Sequence, residues 1–426
     1  MNLKYRRLKG TRDLMFEELE RWRWCEERWE ETLARYGYGE IRTPVIEPVE
    51  LFLRSIGEGT DVVDKEMYAF ETKGGEQLVL RPEMTASVVR AYLENGLTRQ
   101  PGTVKFWYGA PMFRHDRPQA GRYRQFHQIG VEALGSASPV LDAEVIQTLL
   151  ALFDSVDAQG LTLLINSIGC SDSECRPRFV EHLRHYLRER SDQIPAEFHD
   201  RMERNPLRMY DAKSNEVQTL LTEHPPITDF LCEDCRAHHA EVLSCLDGLG
   251  IIYESDPTLV RGLDYYCRTT FEVTARSERK QSSLAGGGRY DQLVEQCGGP
   301  ATPGIGFSVG VERTLLHLND DIPDPQRSRQ SVVDVYVACL GSAAQRYALL
   351  KTDLLRDICR VEIDITDRSL KAQARGANQR LARLLLVAGD EEMQNEQFQL
   401  KNLATGEQTA VASDQILTAV REVLEQ

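Results

Sequence analysis

Apolar residues recur at helical spacing near the start of the chain. Between Met15 and Tyr36 the large apolar side chains stand on one side of a helical repeat, in a segment rich in glutamate and arginine. This pattern predicts an amphipathic helix. Its tryptophans, Trp22 and Trp29, are expected to pack in the core or at an interface.

The pattern then changes to short strand-like runs. "EQLVLRPEMT" predicts a strand, Gln77–Leu80, that turns into a helix beginning near Thr85. "TVKFWYGAPMFRHD" and "RYRQFHQIGVEALG" predict two strands joined by the hairpin loop "HDRPQAGR". In "IRTPVIEPVELFLRS", Pro44 and Pro48 limit any strand to a sheet edge or an interruption.

Two further changes of pattern divide the chain. From about 170 to 249 it becomes helical, polar and irregular, which indicates an inserted subdomain, and strands resume at "IIYES" and "TTFEVTA". "NDDIPDPQRSRQ" combines prolines and charges without periodicity, as a linker does. We therefore predict an α+β domain with a mainly antiparallel sheet over residues 1–325, carrying the helical insertion at about 170–249.

Strands and helices alternate in the remainder of the chain. "VVDVYVACL", "RVEIDIT" and "ARLLLVAG" predict strands, separated by the helical segments "SAAQRYALLKTDLLRDI" and "SLKAQARGANQRL". Such alternation is typical of βαβ units. Residues 331–426 are predicted to form a smaller α/β domain with a mixed, largely parallel sheet.

Composition narrows the class of protein. The 426 residues carry a net charge of −15, and no apolar run approaches the length of a membrane span. The acidic balance argues against non-specific adhesion to nucleic acid or anionic membranes. We expect a cytoplasmic protein with no membrane and no DNA partner.

Ten scattered cysteines indicate reduced thiols rather than a disulfide framework. Cys170 and Cys175 form a C-x4-C pair, and Cys232 and Cys235 a C-x2-C pair. This is half of a zinc-ribbon spacing. Core or solvent-side thiols are favoured over zinc, and no metal ligand set is predicted with certainty.

Charged and amide residues gather around the predicted hairpin. Arg114 ends the first strand, and Arg117, Gln119 and Arg122 lie in the loop. An ordinary solvated turn is the alternative. On the returning strand Gln128 and Glu132 share one face, because alternate residues of a strand point the same way. An arginine, an amide and a carboxylate on one face suit a pocket for a zwitterion and a phosphate.

Three other motifs contribute candidates. In "RPEMT", Glu83 can cap the following helix or receive a ligand ammonium. The glycines of "AGGGRYD" allow either a tight turn or close approach of a ligand. "PGIGFSVGVER" places Arg313 at a helix start, where a triphosphate could use it, and "LVRGLDYYC" sets Arg261 beside two tyrosines.

Together these motifs resemble the class II aminoacyl-tRNA synthetases, and within them the histidyl-tRNA synthetase family. "KGTRDLM" resembles its N-terminal signature. "IRTPVIEP", "FRHDRPQAGRYRQFHQIGVE" and "PGIGFSVGVER" resemble the three class motifs, and "LVRGLDYYCRTTFE" and "AGGGRYD" the two histidine signatures. The likeness runs from about residue 8 to the C-terminus.

The resemblance implies a ligase that uses ATP and Mg²⁺ to activate L-histidine and transfers it to tRNA(His), and that forms a homodimer with Pro44 at the interface. It implies an anticodon-binding role for the α/β domain. It also implies roles for individual residues: ATP phosphate contacts from Arg114 and Arg313, an α-phosphate contact from Arg261, and catalysis by Arg114 and Arg261. The implied histidine-binding residues are Glu83, Thr85, Gln128, Glu132, Arg261, Tyr265, Tyr266 and Tyr290.

Within that pocket Glu132 and Tyr266 would read the imidazole, and Tyr265 and Tyr290 would form the wall. Arg117, Gln119 and Arg122 would approach the tRNA acceptor end. Where the family's second motif has Arg-x-Glu, this chain has Arg114, His115 and Asp116, a carboxylate one methylene shorter. Among the implied contacts, the contact of that carboxylate with adenine or the tRNA end therefore departs most from the family pattern.

Arginines and one lysine also form a cationic stripe in the last domain: Arg368, Lys371, Arg375, Arg380 and Arg383. A solvated helix face is the alternative to a phosphate-backbone contact. Two rival functions are a catalytically inactive regulatory paralogue from histidine biosynthesis, and a class II synthetase for proline, threonine or glycine. Such regulators typically lack the anticodon domain, whereas this chain retains one, and "RGLDYY" argues against the other amino acids.

Overall fold

The structure is a computed structural model that describes residues 4–56, 62–116, 121–212, 214–261, 263–276, 281–318 and 333–425. The chain divides into two compact units, Met1–Ile322 and Pro323–Gln426. The predicted linker at 319–330 lies outside the described residues, and so do the predicted domain limits at 325 and 331. Each unit is described by itself.

An eight-stranded sheet and a three-stranded sheet form the first unit. The strands are β1 (Gly39–Glu40), β2 (Ile46–Pro48), β3 (Tyr68–Glu71), β4 (Gln77–Leu80), β5 (Val104–Phe113), β6 (Gln125–Leu134), β7 (Leu161–Ser167), β8 (Glu254–Ser255), β9 (Cys267–Arg276), β10 (Gln281–Arg289) and β11 (Gly304–Gly310). The large sheet has the order β1-β5-β6-β11-β10-β9-β7-β8. Its pairs are antiparallel except β1 with β5 and β7 with β8. The predicted mainly antiparallel sheet is confirmed.

Helices cover and flank this sheet. They are α1 (Phe16–Arg35), α2 (Val49–Ile56), α3 (Thr85–Glu94), α4 (Pro139–Ser155), α5 (Arg176–Arg188), α6 (His199–Arg204), α7 (Asn215–Glu223), α8 (Glu233–Gly248), α9 (Leu293–Gln296) and α10 (Val311–Leu318). The predicted amphipathic helix is α1. Trp22 and Trp29 are both buried, and the Trp29 indole N–H donates to the Leu152 carbonyl of α4 at 3.1 Å. The apolar stripe of α1 thus faces the core.

Proline confines β2 to a short edge strand, as the sequence predicts. It pairs with β4 in the three-stranded sheet β2-β4-β3. Val45, which directly precedes β2, and Ile46 and Phe70 on this small sheet are between 37% and 47% exposed. Among the described residues, these three side chains therefore form an exposed apolar strip.

Helices α5–α8 form the segment between β7 and β8. Apolar side chains of α5, α6 and α7 share one core cluster with three tyrosines outside the segment, Tyr265, Tyr266 and Tyr290, whereas Val242 and Leu246 of α8 belong to the main core. The helical segment therefore packs directly behind those tyrosines.

The second unit is a five-stranded mixed sheet with helices. Its elements are β12 (Val335–Cys339), α11 (Ser342–Lys351), β13 (Val361–Ile363), α12 (Leu370–Gln379), β14 (Leu384–Ala388), α13 (Asp390–Gln394), β15 (Gln397–Asn402), β16 (Gln408–Ala412) and α14 (Ile416–Leu424). Strands β13, β12 and β14 are parallel, while β15 and β16 add antiparallel. The mixed α/β fold is confirmed, and the β15–β16 hairpin is an addition that the alternating pattern did not predict.

Strand register sets out the residues of one sheet face in rows. One row runs from Tyr108 on β5 through Gly130, Ser308 and Gly286 to Glu272 on β9. The next row contains Phe106, Glu132, Gly306, Gly288 and Thr270. Because residues two apart on a strand share a face, both rows lie on the same side of the sheet. Glycines occupy the middle of that side.

Candidate active site

A cavity of about 570 Å³ lies over this glycine-rich face. Most of the predicted site residues line it together: Glu83, Thr85, Arg114, Arg122, Gln128, Glu132, Arg261, Tyr265, Tyr266, Tyr290 and Arg313. Arg117 and Gln119 lie outside the described residues, so their placement stays a prediction.

Glycine residues, which have no side chain, form the floor of the cavity on this face of the sheet. A Cβ at Gly306 would lie 2.0 Å from the Glu132 carboxylate, and one at Gly286 would lie 2.3 Å from the Arg261 guanidinium. Both distances are far inside van der Waals contact. Gly286 belongs to "AGGG", which is part of strand β10. Gly286 therefore allows close approach of the Arg261 side chain, and the alternative of a tight turn is wrong. Close approach of a ligand stays a prediction.

We call one part of the cavity the carboxylate end: Glu83, Thr85, Tyr108, Glu132 and Tyr290. Glu132 is its centre and is only 1% exposed. Its carboxylate accepts hydrogen bonds from the hydroxyls of Thr85 at 2.7 Å, Tyr108 at 3.4 Å and Tyr290. Burial raises the pKa of Glu132 to about 8, although the Tyr290 and Thr85 hydroxyls oppose that shift.

Glu83 caps the helix that follows it. Its carboxylate accepts from the backbone N–H groups of Thr85 at 2.7 Å and Ala86 at 2.9 Å, the first residues of α3. Burial raises the pKa of the Glu83 carboxyl in spite of these bonds. Glu83 also lines the cavity. It therefore caps the helix, as the first alternative predicts, and is still a residue of the pocket.

Three cations form the arginine end: Arg114, Arg122 and Arg313. Arg114 donates to the Pro82 carbonyl at 2.8 Å and lies over the Phe126 ring. Arg313 donates to the Ser283 carbonyl at 2.8 Å. Burial, and then the positive charges of Arg122 and Arg114, lower the pKa of Arg313. Like charges held this close favour an anionic ligand between them.

Arg261 lies between the two ends, anchored to Glu272 by a 2.6 Å bond from Nη1. Its Nε is buried and has no hydrogen-bond partner among the residues that the structure describes. A buried guanidinium nitrogen without a partner is costly, so this donor is available for a ligand oxygen.

The remaining predicted residues complete the wall. The rings of Tyr265 and Tyr266 lie 4.7 Å apart, and Tyr265 meets Tyr290 edge to face at 5.8 Å. Gln128 is fixed by donating from Nε2 to the Ser308 hydroxyl at 3.1 Å. Asp116, the shortened carboxylate of the second motif, pairs with Arg122 at 3.2 Å.

Sequence reasoning missed two contributors to the wall, Arg208 and Asp211, which come from the helical insertion. Arg208 also pairs with Asp264 of "RGLDYY". The Asp264 carboxylate accepts from Arg208 at 3.2 Å and from the Asn205 amide at 3.3 Å. Asp264 therefore ties the insertion to the pocket. No local pattern around "RNPLR" signalled this contact.

A buried ion pair beneath the cavity was also missed. Arg289 and Asp142 are fully buried, and the guanidinium of Arg289 forms an ion pair with the carboxylate of Asp142. Asp142 further accepts from Thr269 at 2.6 Å and from His238 at 2.7 Å. Arg289 ends β10 and directly precedes Tyr290, so this network fixes the end of the strand from which a donor to Glu132 follows. The signal in the sequence was an arginine inside a glycine-rich strand.

Arg81, the first residue of "RPEMT", is a structural residue rather than a pocket residue. It is 3% exposed and donates to the carbonyls of Thr43, Pro44 and Pro111 at 2.9, 3.2 and 3.1 Å. It thus holds the proline-containing segment against the sheet.

Known proteins resemble the chain throughout. A model of the histidyl-tRNA synthetase family matches residues 10–314, and a model of the anticodon-binding domain matches residues 334–423. The chain is 44% identical over 423 residues to a histidine--tRNA ligase of Desulforamulus reducens, covering 97% of this chain and 98% of that one. It is 45% identical over 412 residues to a histidine--tRNA ligase of Solibacter usitatus, covering 96% and 97%.

Solved structures agree. Apo histidyl-tRNA synthetase of S. aureus superposes with a TM-score of 0.78 at 34% identity, covering 98% of this chain and 100% of that one. A Bacillus halodurans protein described as an ATP phosphoribosyltransferase regulatory subunit/histidyl-tRNA synthetase has a TM-score of 0.64 at 18% identity, covering 91% and 99%, and shares the fold. By sequence and by structure, the chain belongs to the histidyl-tRNA synthetase family.

Proposed function

We propose that this protein is a histidine--tRNA ligase that activates L-histidine with ATP and transfers it to the 3′ end of tRNA(His). One observation carries the proposal: a single cavity joins a buried carboxylate end, suited to a small polar amino acid, to an arginine end suited to a triphosphate. Family membership supports it.

The carboxylate end supplies selectivity for imidazole. A neutral imidazole has one donor and one acceptor, so Glu132 would accept from one nitrogen while Tyr266 donates to the other. Glu83, Thr85 and Gln128 would hold the amino and carboxylate groups of histidine. An amino acid without the imidazole would not match the donors and acceptors of this network, and sites that select a ligand by its hydrogen-bonding groups discriminate by about 10⁴ to 10⁵.

The arginine end and Arg261 supply the chemistry. The histidine carboxylate attacks the α-phosphorus of ATP, the bond to the bridging oxygen breaks, and pyrophosphate leaves with its electron pair. Arg261 and Arg114 would neutralise the charge that builds on the α-phosphoryl oxygens, and Arg313 would hold the outer phosphates. The 3′-terminal hydroxyl of tRNA would then attack the adenylate carbonyl. No side-chain nucleophile takes part.

Mg²⁺ would enter as part of the MgATP substrate. The carboxylates of Asp116 and Glu312 line the cavity beside the arginine end, and carboxylate oxygen is the ligand type that Mg²⁺ prefers. The ion would supply additional neutralisation of the phosphates.

Two surfaces support the remaining parts of the proposal. Lys371 and Arg375 are exposed four residues apart on α12, where they could meet the tRNA anticodon region. The other three cations of the predicted stripe have partners within the domain: Arg368 pairs with Asp364, Arg380 pairs with Glu362, and Arg383 donates to the end of α14. The positive charge that the stripe offers to a phosphate backbone is therefore smaller than its sequence indicates. Arg122 would face the acceptor end together with the loop at 117–120.

The protein would act in the cytoplasm as a homodimer. The exposed apolar strip next to Pro44, formed by Val45, Ile46 and Phe70, supports the proposed homodimer because a second copy would cover it. Among the described residues, no helix is both long and apolar enough to cross a membrane. Light scattering of the purified protein at two ionic strengths tests the dimer.

Histidine-dependent exchange of pyrophosphate into ATP tests the function. We expect robust exchange with histidine and none with proline, threonine or glycine. A regulatory paralogue would show no exchange, and another synthetase would prefer a different amino acid. Either result would overturn the proposal.

The same assay tests Arg261. Arg261→Ala and Arg261→Lys should both lower adenylate formation far more than histidine affinity measured by calorimetry, since lysine lacks the planar fork. Arg99→Ala, at an exposed position on a separate segment, is the matched control. Equal losses of binding and chemistry would contradict the assigned role.

A further inference from the structure

The two cysteine pairs of the sequence come together at the base of the helical insertion. The Sγ atoms of Cys170, Cys175, Cys232 and Cys235 all lie within 4.8 Å of one another, and those of Cys170 and Cys232 are 3.9 Å apart. Sulfurs bound to one tetrahedral zinc at ~2.3 Å stand about 3.8 Å apart. The cluster is therefore within 1 Å of the dimensions of a tetrathiolate site.

The backbone around these thiols is shaped for close sulfur packing. Gly169 has a φ of +68°, and a Cβ there would lie 2.6 Å from the Cys175 sulfur. The N–H groups of Cys170 and Cys232 both donate to that sulfur at 3.4 Å. Such N–H···S bonds stabilise a thiolate and are typical of the surroundings of metal ligands.

Helix geometry adds to the same effect. Cys175 precedes the first residue of α5, Cys232 precedes the first residue of α8, and Cys235 lies in the first turn of α8. The partial positive charges of two helix N-termini therefore face the four sulfurs. Four thiolates around a divalent cation carry net negative charge, which this arrangement offsets.

An ordinary apolar core does not account for the cluster. Cys175 and Cys235 are fully buried, yet within the described chain the apolar neighbour grouped with the four thiols is Leu231. All four cysteines are free thiols in the structure. Thiols packed against thiols gain little cohesion from burial, whereas a shared metal ion would bind them strongly.

We propose that Cys170, Cys175, Cys232 and Cys235 bind one Zn²⁺ ion as a closed structural site that fastens the helical insertion to the end of β7. Four soft thiolates at tetrahedral spacing select zinc over Mg²⁺ or Ca²⁺. Spacing alone could not predict this, because 56 residues separate Cys175 from Cys232.

This site would also position a wall of the histidine pocket. Arg176, next to Cys175, donates from Nη1 to the Tyr266 carbonyl at 2.5 Å. Gly169, next to Cys170, accepts from the Arg268 N–H at 2.7 Å, and Arg268 has a φ of +50°. The segment Tyr266–Arg268 is thus held by the two residues that flank the first cysteine pair.

Metal analysis of the full-length wild-type protein tests the proposal without any activity measurement. After purification under reducing conditions and dialysis against EDTA, we expect one zinc per chain by mass spectrometry of the metals. Cobalt added to metal-free protein should give the charge-transfer and ligand-field bands of a tetrahedral tetrathiolate. Absence of stoichiometric zinc, or an intact mass showing disulfides instead, would overturn the site.

Variants locate the metal. The double variant Cys170→Ser, Cys232→Ser should lose the zinc, unfold at a temperature lower by several degrees, and raise KM for histidine more than it lowers kcat. Cys245→Ser, on α8 outside the cluster, is the control and should keep one zinc. Retention of zinc by the double variant would contradict the proposal, and if that variant does not fold, the cobalt titration of the wild type still decides. Pyrophosphate exchange measured in parallel separates failure of the zinc site from failure of the proposed ligase activity.

Discussion

The carboxylate end and the arginine end of the cavity differ in how far their polar groups are satisfied by one another. At the carboxylate end, Glu132 already accepts hydrogen bonds from Thr85 and Tyr290, so the polar groups satisfy one another before any ligand binds. At the arginine end, the positive charges of Arg114, Arg122 and Arg313 repel one another. Burial and the charges of its two neighbours lower the pKa of Arg313. One end is preorganised, and the other is held in a repulsive arrangement.

This difference indicates how binding energy would be divided. A preorganised network rejects ligands that do not match its donors and acceptors, because mismatched groups stay buried and unpaired. A repulsive cation cluster gains most from charge and little from shape. Selectivity is therefore expected from the carboxylate end, and rate acceleration from the arginines.

The strongest test of this division is Glu132→Gln. The amide keeps the shape but places an N–H₂ group among hydroxyl donors in place of an accepting oxygen, so kcat/KM for histidine in pyrophosphate exchange should fall about 10³-fold. Tyr108→Phe, which removes the longest of the three hydrogen bonds to Glu132, is the matched control and should lose less than tenfold. Similar losses in both variants would mean that the network does not centre on Glu132.

The next largest effect is expected for Arg313→Ala. Removing a charge that stabilises phosphate should lower kcat/KM for ATP about 10²-fold while the dissociation constant of histidine stays nearly constant. Calorimetry with histidine and steady-state kinetics with varied ATP check this. A matching loss of histidine affinity would show that the two ends are not separate.

A smaller effect is expected for Arg122→Ala. The Arg122 side chain is 42% exposed, so screening by solvent limits its share of the field. We expect tRNA aminoacylation to fall several-fold, with a weaker salt dependence, and pyrophosphate exchange to stay almost unchanged. A loss of exchange comparable to that of Arg313→Ala would move Arg122 from the tRNA side to the ATP side.

A last test concerns stability rather than activity: the pH dependence that Glu132 gives to folding. Its pKa is raised from 4.5 to about 8 in the folded protein, so the folded state holds this proton where the unfolded state has lost it. The resulting stability is complete below pH 4.5 and is lost as pH rises towards 8, at up to about 1.4 kcal/mol per pH unit. In urea titrations without ligands, Glu132→Gln should therefore gain stability relative to wild type between pH 5 and about 8. A constant difference across this range would contradict the raised pKa.

Local regularities in the sequence predicted much of the fold and of the cavity. Alternation along a strand is a local property, and it placed Gln128 and Glu132 on one face correctly. Proline chemistry likewise limited β2 to an edge. The mixed sheet of the second unit followed from alternation, but the β15–β16 hairpin did not, because short half-polar strands resemble loops.

Contacts between distant segments could not be predicted from local pattern. Arg289 meets Asp142 across 147 residues, and Arg208 meets Asp264 across 56 residues. Each pairing depends on how the sheet and the insertion close on each other. The role of "AGGG" was likewise ambiguous until the side chain lying over Gly286 was known to be that of Arg261.

The distance along the chain between Glu132 and its partners has a consequence for folding. Tyr290 donates to Glu132 across 158 residues, and β10, which Tyr290 directly follows, is anchored by Arg289 to Asp142. Closing loops of this length is slow because entropy is lost before the contacts form. During synthesis, the proposed histidine pocket is incomplete until β10 and β11 have emerged and paired. Nascent chains ending before β10 should fold their N-terminal helix and hairpin without acquiring a pocket, so ligand binding reports completion of the whole first unit.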